Sequence, residues 1–283
     1  MRISCRKYWL PALLVGLLSL FLAMAGCGQE NASTTGTESL LKGTITESGS
    51  TSVQPLAEKL GEAFTAQNSE VSVVIQGGGS STGIKAATDG TVDFGASSRE
   101  LTEAEAANLQ EYVICKDGIA IIVSTDNPVD DLSKEQIKAI FSGEITNWQE
   151  VGGTDHEIHV VAREEGSGTR GAFEEMIMGK DASILSNAIL QSSNGALLQV
   201  VKGDSDAIGF LSFGYLESSI KALTINGAEA TAENALNGTY PVVRPFLFVT
   251  NAEPSGLVKA FFEFCNSAEA QQIIIQEGYI SVR

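Results

Sequence analysis

Histidine and cysteine are scarce in this chain, at two and four among 283 residues. Cys5 and Cys27 lie in an N-terminal apolar segment, so the remainder holds only Cys115 and Cys265, each within an apolar run. Buried free thiols are expected there ahead of a disulfide, although an exported chain can form one. His156 and His159 flank a predicted strand start and offer no metal-ligand cluster; surface imidazoles are expected. No Gly-Lys-Ser/Thr phosphate loop exists, and Thr82 stands where Gly77-Gly78-Gly79 would need a further glycine for a dinucleotide fingerprint. Gly166-Ser167-Gly168 is no nucleophile elbow, because Glu165 and Thr169 occupy the outer glycine positions. A serine nucleophile would have only the two histidines as bases. A phosphatase would want metal ligands or a cysteine nucleophile. No catalytic residue, cofactor or metal is therefore assigned, and catalysis is the weakest of the readings.

Positive charge is also short. Lys and Arg number 18 against 35 acidic residues, for a formal charge of −17. Arg2, Arg6 and Lys7 are the only charges in residues 1–27, so the rest carries 15 basic and 35 acidic residues, a net of −20. Such a surface argues against nucleic acid or an anionic membrane face as a general partner. An anion bound here would be held against the global field, by local dipoles and one arginine.

The N-terminal segment itself reads as an export signal. Three basic residues precede an apolar stretch, Leu10 to Ala25, that is short for a membrane span. It ends in Met24-Ala25-Gly26-Cys27, which resembles a bacterial lipobox with Met24 where leucine is usual. Cleavage before Cys27 and its lipidation are expected, with the protein held on the outer face of the cell membrane. An uncleaved anchor would leave the chain outside as well. Residues 28–42, rich in Ser, Thr, Gly, Asn and Glu, read as a flexible tether.

Beyond the tether, strands and helices alternate. Strands are predicted over Thr44–Glu47, Val71–Ile75 and Val92–Ala96, and helices over Pro55–Gln67, Ile84–Ala87 and Thr102–Leu109. Tyr112–Ser124 is a long apolar strand broken by Lys116-Asp117-Gly118, a charged interruption that can mark a crossover between lobes. Ser133 and Gln136 form a capping box before a helix to Phe141. His159–Ala162 is a strand, Ala172–Met178 and Gly195–Lys202 are helical, and Ala207–Phe213 and Ala222–Ile225 are strands. Tyr240–Val249 is a second long apolar strand, able to carry the chain back to the first lobe. Gly256–Cys265 and Ala268–Gln276 are helical. The alternation predicts a parallel, doubly wound α/β sheet, in which ligands sit beyond the carboxyl ends of the strands.

Four loops at those ends share one chemistry. They contain Ser50-Thr51-Ser52, Ser80-Ser81-Thr82, Ser97-Ser98, and Arg163 with Ser167-Gly168-Thr169. Unsatisfied N–H groups and the dipole at a helix start favour anions, and arginine supplies a planar fork of donors. Any one such serine serves equally well as a helix cap. Four together can replace the hydration of a small dianion.

Five ordered motifs carry a resemblance. They are Ser48 to Ser52, Gln76 to Lys85, Val92 to Glu100, Ile140 to Trp148, and Arg163 to Thr169. The chain from about Thr44 onward resembles the phosphate-binding proteins of Pst-type ABC transporters. That resemblance implies a type II periplasmic-binding-protein fold, with one lobe from residues 43–115 and 246–283 and the other from 116–245, joined by two crossover strands. It implies phosphate buried between the lobes and delivered to ABC permease subunits by a monomer. It also places Ser50, Thr51, Ser52, Ser80, Ser98, Arg163, Ser167, Gly168 and Thr169 at the ligand, with Arg163 the one formal positive charge and Glu165 pairing with it. Better-known members carry aspartate where Ser98 stands; that carboxylate accepts the ligand's proton and repels sulfate. Arg99 is either a second ligand or a structural partner of Glu100 or Asp93, the latter favoured because those carboxylates are near in sequence. A phosphate-sensing or adhesion protein on the same fold, or a binder of another tetrahedral oxyanion such as sulfate, are the alternatives.

Overall fold

The computed structural model describes residues 41–283. Cys27 and the export segment lie outside them, and so does nearly all of the tether. The first half of the fold runs β1 (Lys42–Gly49), α1 (Gln54–Gln67), β2 (Glu70–Gly77), α2 (Ser80–Thr88), β3 (Phe94–Ser97), α3 (Glu103–Ala106) and β4 (Gln110–Ser124). There follow β5 (Asp131–Leu132), α4 (Lys134–Ser142), β6 (His159–Arg163), α5 (Gly168–Phe173), β7 (Ile189–Gln191), α6 (Asn194–Gly203), β8 (Ala207–Ser212), β9 (Ile220–Ala222), β10 (Thr224–Ile225) and α7 (Ala232–Leu236). The chain closes with β11 (Val243–Thr250), α8 (Gly256–Cys265) and α9 (Ala268–Gln276).

Local chemistry accounts for these elements. Leu56, Leu60 and Phe64 form the buried stripe of α1 at helical spacing, and Pro55 sits in its first turn, where a missing N–H costs no helix bond. The capping box of Ser133 and Gln136 opens α4, and Gly143 closes it in the left-handed region. The helix expected over Ala172–Met178 is instead the end of α5 followed by a π-helical turn, Glu174–Met178.

The strands form a curled, mixed sheet in the order β2-β1-β3-β11-β4-β8-β6-β7, with β9 beside β4. The doubly wound expectation holds within each lobe, where β1 runs parallel to β2 and β3, and β6 to β7 and β8. It fails in the middle, because β11 is antiparallel to β3 and to β4, and β4 to β8. Two long strands crossing between lobes in opposite directions impose that reversal.

Two main hydrophobic cores flank the crossing. One holds Ile45, Leu56, Phe94, Cys115, Phe246 and Phe261; the other holds Ile119, Phe141, Phe173, Phe210 and Val242. The rings of Phe173 and Phe210 stack at 4.1 Å, and Phe94 meets Phe248 at 4.5 Å. β4 contributes to the first core up to Cys115 and to the second from Ile119. Lys116-Asp117-Gly118 does not break the strand as expected, since β4 is continuous from Gln110 to Ser124 and Asp117 is fully buried. Cys115 and Cys265 are buried free thiols in the first core.

One carboxyl is out of place in this frame. Glu47 lies two residues past Ile45, hence on the same face of β1, and is buried. Its carboxylate accepts from the Gln76 N–H at 3.3 Å. Burial, with some repulsion from Glu58, pushes its pKa up to about 8. Between the ordinary carboxyl range and that value the folded state keeps a proton that the unfolded chain releases. Stability therefore falls as pH rises through this window and levels off above it. Glu47→Gln is expected to be near neutral at acid pH and to raise the urea midpoint above about pH 8; equal gains at both ends of the pH range would contradict the assignment.

Candidate functional site

The carboxyl ends of β1, β2, β3 and β6 deliver their loops to one cleft, as the sequence pattern predicts. The Ser50-Thr51-Ser52 loop turns from β1 into α1, whose first residue is preceded by Val53 without a side-chain cap. Gly49 permits that turn, since a Cβ there would stand 2.2 Å from the Ala96 carbonyl oxygen. Ser80 opens α2 and Ser98 follows β3. Arg163 ends β6, and Ser167 caps α5 by accepting from the Arg170 N–H at 3.2 Å.

All of these side chains are buried, and several meet across the cleft. The Ser52 hydroxyl lies 2.7 Å from that of Thr169. Arg163 Nη2 donates to Thr51 Oγ1 at 3.2 Å. The Ser50 hydroxyl donates to Ser98 Oγ at 2.8 Å, and the Ser98 N–H to Ser80 Oγ at 3.1 Å. Gly168 packs against this pair so closely that a Cβ would come within 2.2 Å of Ser80 Oγ. The lobes also join through backbone, with the Ser81 N–H donating to the Gly166 carbonyl at 3.1 Å and the Tyr215 hydroxyl to the Thr51 carbonyl at 2.7 Å.

Arg163 is held differently from expectation. Glu165 is exposed and is not among its partners. The guanidinium donates instead to two carbonyls, Nε to Gln191 at 3.1 Å and Nη2 to Ser192 at 2.8 Å. Carbonyls fix the fork without cancelling its charge. Arg99 is tied to the carboxylate of Glu105 through both terminal nitrogens, at 2.8 and 2.9 Å, and to the Glu100 carbonyl at 2.8 Å. Neither the Glu100 nor the Asp93 carboxylate is its partner. This structural pairing holds Glu105 far down, at a pKa of about 2.

Four residues of this site were not legible as ligands or supports: Arg244, Asp117, Asn194 and Ser212. Arg244 on β11 faces Asp117 in register on β4 and donates to its Oδ2 through Nη2 at 2.8 Å and Nε at 3.1 Å. Its Nη2 also reaches Ser52 Oγ at 3.1 Å. Arg163 is thus not the cleft's single cation. Burial first, and Arg244's charge next, lower Arg163 to about 10, so it remains ionised at neutral pH. Burial pushes the Asp117 carboxyl up and the Arg244 guanidinium down, and each opposes the other's shift. Arg163 Nη1 and Arg244 Nη1 are both buried with no hydrogen-bond partner among the described residues. Two uncompensated donors on neighbouring guanidiniums, ringed by hydroxyls, suit a small multivalent anion. The described residues hold no cluster of His, Cys, Asp or Glu able to bind a metal, and no helix long and apolar enough to cross a membrane.

Two α/β lobes joined by paired strands, with strand-end loops converging on a buried polar cleft, define a binding protein of the type II class. A family model described as a PBP superfamily domain matches residues 31–269. The phosphate-binding protein PstS of Bacillus subtilis (strain 168) is 32% identical over 281 residues, covering 95% of this chain and 93% of that one. A crystal structure from Clostridium perfringens, described as a phosphate ABC transporter substrate-binding protein with bound phosphate, is 44% identical with a TM-score of 0.82, covering 85% of this chain and 100% of that one. An ABC-type phosphate transport receptor from Vibrio cholerae is 38% identical with a TM-score of 0.70, covering 83% of this chain and 99% of that one. The chain belongs to the PBP superfamily and, within it, to the family of PstS phosphate-binding proteins.

The buried pair predicts its own sensitivity. Asp117→Asn leaves Arg244 without a counter-charge in the interior and is expected to cost ~3–5 kcal/mol of stability by urea unfolding. A loss within experimental error would mean that water reaches the pair.

Proposed function

We propose that this protein binds inorganic phosphate in the cleft between its lobes and hands it to ABC permease subunits for import. The observation that carries this reading is the pair of buried, unpartnered donors, Arg163 Nη1 and Arg244 Nη1, on guanidiniums whose Nη2 atoms meet the hydroxyls of Thr51 and Ser52, the latter beside Thr169. Ser50, Ser80, Ser98, Ser167 and Gly168 complete the proposed ligand set, through hydroxyls and the N–H groups that open α1, α2 and α5. The relatives named above are phosphate-binding proteins, and one was solved with phosphate bound. The lobe bounds at 43–115 with 246–283 and at 116–245 belong to the same proposal, as do lipid attachment at Cys27, a place on the outer face of the cell membrane and a monomeric state.

Binding without reaction fits the rest of the chemistry. His156 and His159, the only imidazoles, are engaged with Asp206 and Asp204 at 3.0 and 2.7 Å. The dianion is drawn from a strongly acidic protein's surroundings into a low-dielectric site, where two nearby guanidiniums act at far greater strength than in water.

Titration calorimetry with phosphate and sulfate tests the reading. Arg163→Ala is expected to weaken phosphate binding by ~3–5 kcal/mol, since it leaves the anion without one of its charge partners. Near-wild-type affinity would place the site elsewhere. With serine at position 98, sulfate is expected to compete measurably. Sulfate binding tighter than phosphate would replace the substrate assignment with the broader oxyanion one.

A further inference from the structure

Hydroxyl groups can donate or accept, and in this cleft their direction is decided by one amide. Asn194 begins α6, where Ser193 caps the helix by accepting from the Ala196 N–H. Its side chain is fully buried. The Ser212 N–H donates to Asn194 Oδ1 at 3.3 Å, which orients the amide and leaves Nδ2 facing the β1–α1 loop. From there Nδ2 donates to Ser52 Oγ at 2.9 Å and to Thr51 Oγ1 at 3.2 Å.

Each of those two oxygens receives a second donor that cannot accept. Arg163 Nη2 donates to Thr51 Oγ1 at 3.2 Å, and Arg244 Nη2 to Ser52 Oγ at 3.1 Å. A hydroxyl oxygen has two lone pairs, and here both are used. Ser52 must therefore give its own proton away, to Thr169 Oγ1 at 2.7 Å, which turns the Thr169 proton onward. Thr51 also has only its proton left to offer, and no acceptor for it appears among its hydrogen bonds with the described residues. The Ser80–Ser98 side is free of this constraint: Ser98 Oγ receives the Ser50 hydroxyl and Ser80 Oγ the Ser98 N–H, and the two oxygens lie 3.4 Å apart with either able to donate.

We propose that Asn194 is a positioning residue that, with Arg163 and Arg244, commits the hydroxyls of Thr51, Ser52 and Thr169 to donate. The face lined by these three hydroxyls then takes only unprotonated anion oxygens, and a ligand proton can be accommodated only toward Ser80 and Ser98. This inference rests on the phosphate reading above and extends it to the ionic form the site selects. The charged or titratable groups around Asn194 are Arg163 on β6, Arg244 on β11, Asp117 on β4 by way of Ser212, and Tyr215, whose hydroxyl is engaged by the Thr51 carbonyl.

The test is calorimetry of phosphate and of sulfate with the wild-type protein, Asn194→Asp and Asn194→Leu, at acid and alkaline pH on either side of phosphate's second ionisation. Asn194→Asp presents acceptors where Nδ2 donated, so it turns the Thr51 and Ser52 protons away from the ligand. At alkaline pH it should bind phosphate at least about tenfold more weakly than wild type, a change of about 1.4 kcal/mol, and recover most of the loss at acid pH. Asn194→Leu, which frees one lone pair on each hydroxyl without adding a charged acceptor, should weaken binding at both pH values and flatten the wild-type slope, but by less than Asn194→Asp does. Parallel pH profiles for Asn194→Asp and Asn194→Leu would overturn the proposal, since a purely structural role predicts that result. If Asn194→Asp does not fold, as judged by its thermal melt, Asn194→Ser takes its place, and an unchanged pH slope would overturn the proposal. Wild-type protein that ignores phosphate but takes sulfate would sink the phosphate reading alone. Sulfate carries no proton at either pH, so its alkaline affinity must still fall in Asn194→Asp if the donor placement is right.

Discussion

The bond between Arg244 and Asp117 is the constraint on which the site and the fold both depend. It links the two strands that cross between the lobes, at the point where one hydrophobic core gives way to the other. Its members are nearly devoid of solvent contact. A buried pair of this kind adds little net stability by itself, because desolvation of the two ions offsets most of their attraction. Its value here lies in placement. Asp117 also accepts from the Ser212 hydroxyl and the Phe213 N–H, and Arg244 reaches Ser52. One carboxylate thereby fixes a crossover strand, the end of β8 and a cation of the anion site.

The same arrangement resolves the tension between a chain of formal charge −17 and an anionic ligand. Surface carboxylates act through water and salt, where their field is weak beyond a Debye length. The two guanidiniums act inside. Arg163 is fixed by carbonyls that leave its charge whole, and Arg244 is only partly neutralised by Asp117. Hydroxyls and helix-start N–H groups supply the remaining donors without further net charge. Glu165 is not among the partners of Arg163, and among the described residues the carboxylate that hydrogen-bonds to a cation of the cleft is Asp117, turned to Arg244.

Much of this was legible in the sequence. The strand, Ser/Thr/Gly loop, helix pattern located four of the loops that converge on the cleft, because helix starts need such residues and anions need such starts. The central antiparallel crossing was not visible as such; apolar runs such as Tyr112–Ser124 and Tyr240–Val249 carry no sign of direction. The Lys116-Asp117-Gly118 break was misread as an interruption since its partner, Arg244, lies far along the chain in an apolar run of its own. Two unlike charges in two predicted crossover strands were the available signal. Asn194 was missed for a simpler reason. Gln191-Ser192-Ser193-Asn194 repeats the loop signature of the other four, but β7 is only three residues long and gives no strand periodicity to announce it. Glu165 was expected at Arg163 because the family resemblance implies that pairing, and the carbonyls that hold the guanidinium instead belong to the end of β7, a neighbouring strand far along the chain.

The joint between the lobes is a ribbon of two antiparallel strands with no loop in it. Such a ribbon resists stretching and shear, because either would break its ladder of hydrogen bonds, but it yields to twist. The same ladder sets the register in which the two halves of the cleft face each other, Ser81 against Gly166 and Thr51 against Arg163. Tethering two bodies in this way removes much of the entropy cost of bringing their halves of a site together, a cost that a small oxyanion, with few atoms to make contacts, is poorly placed to offset.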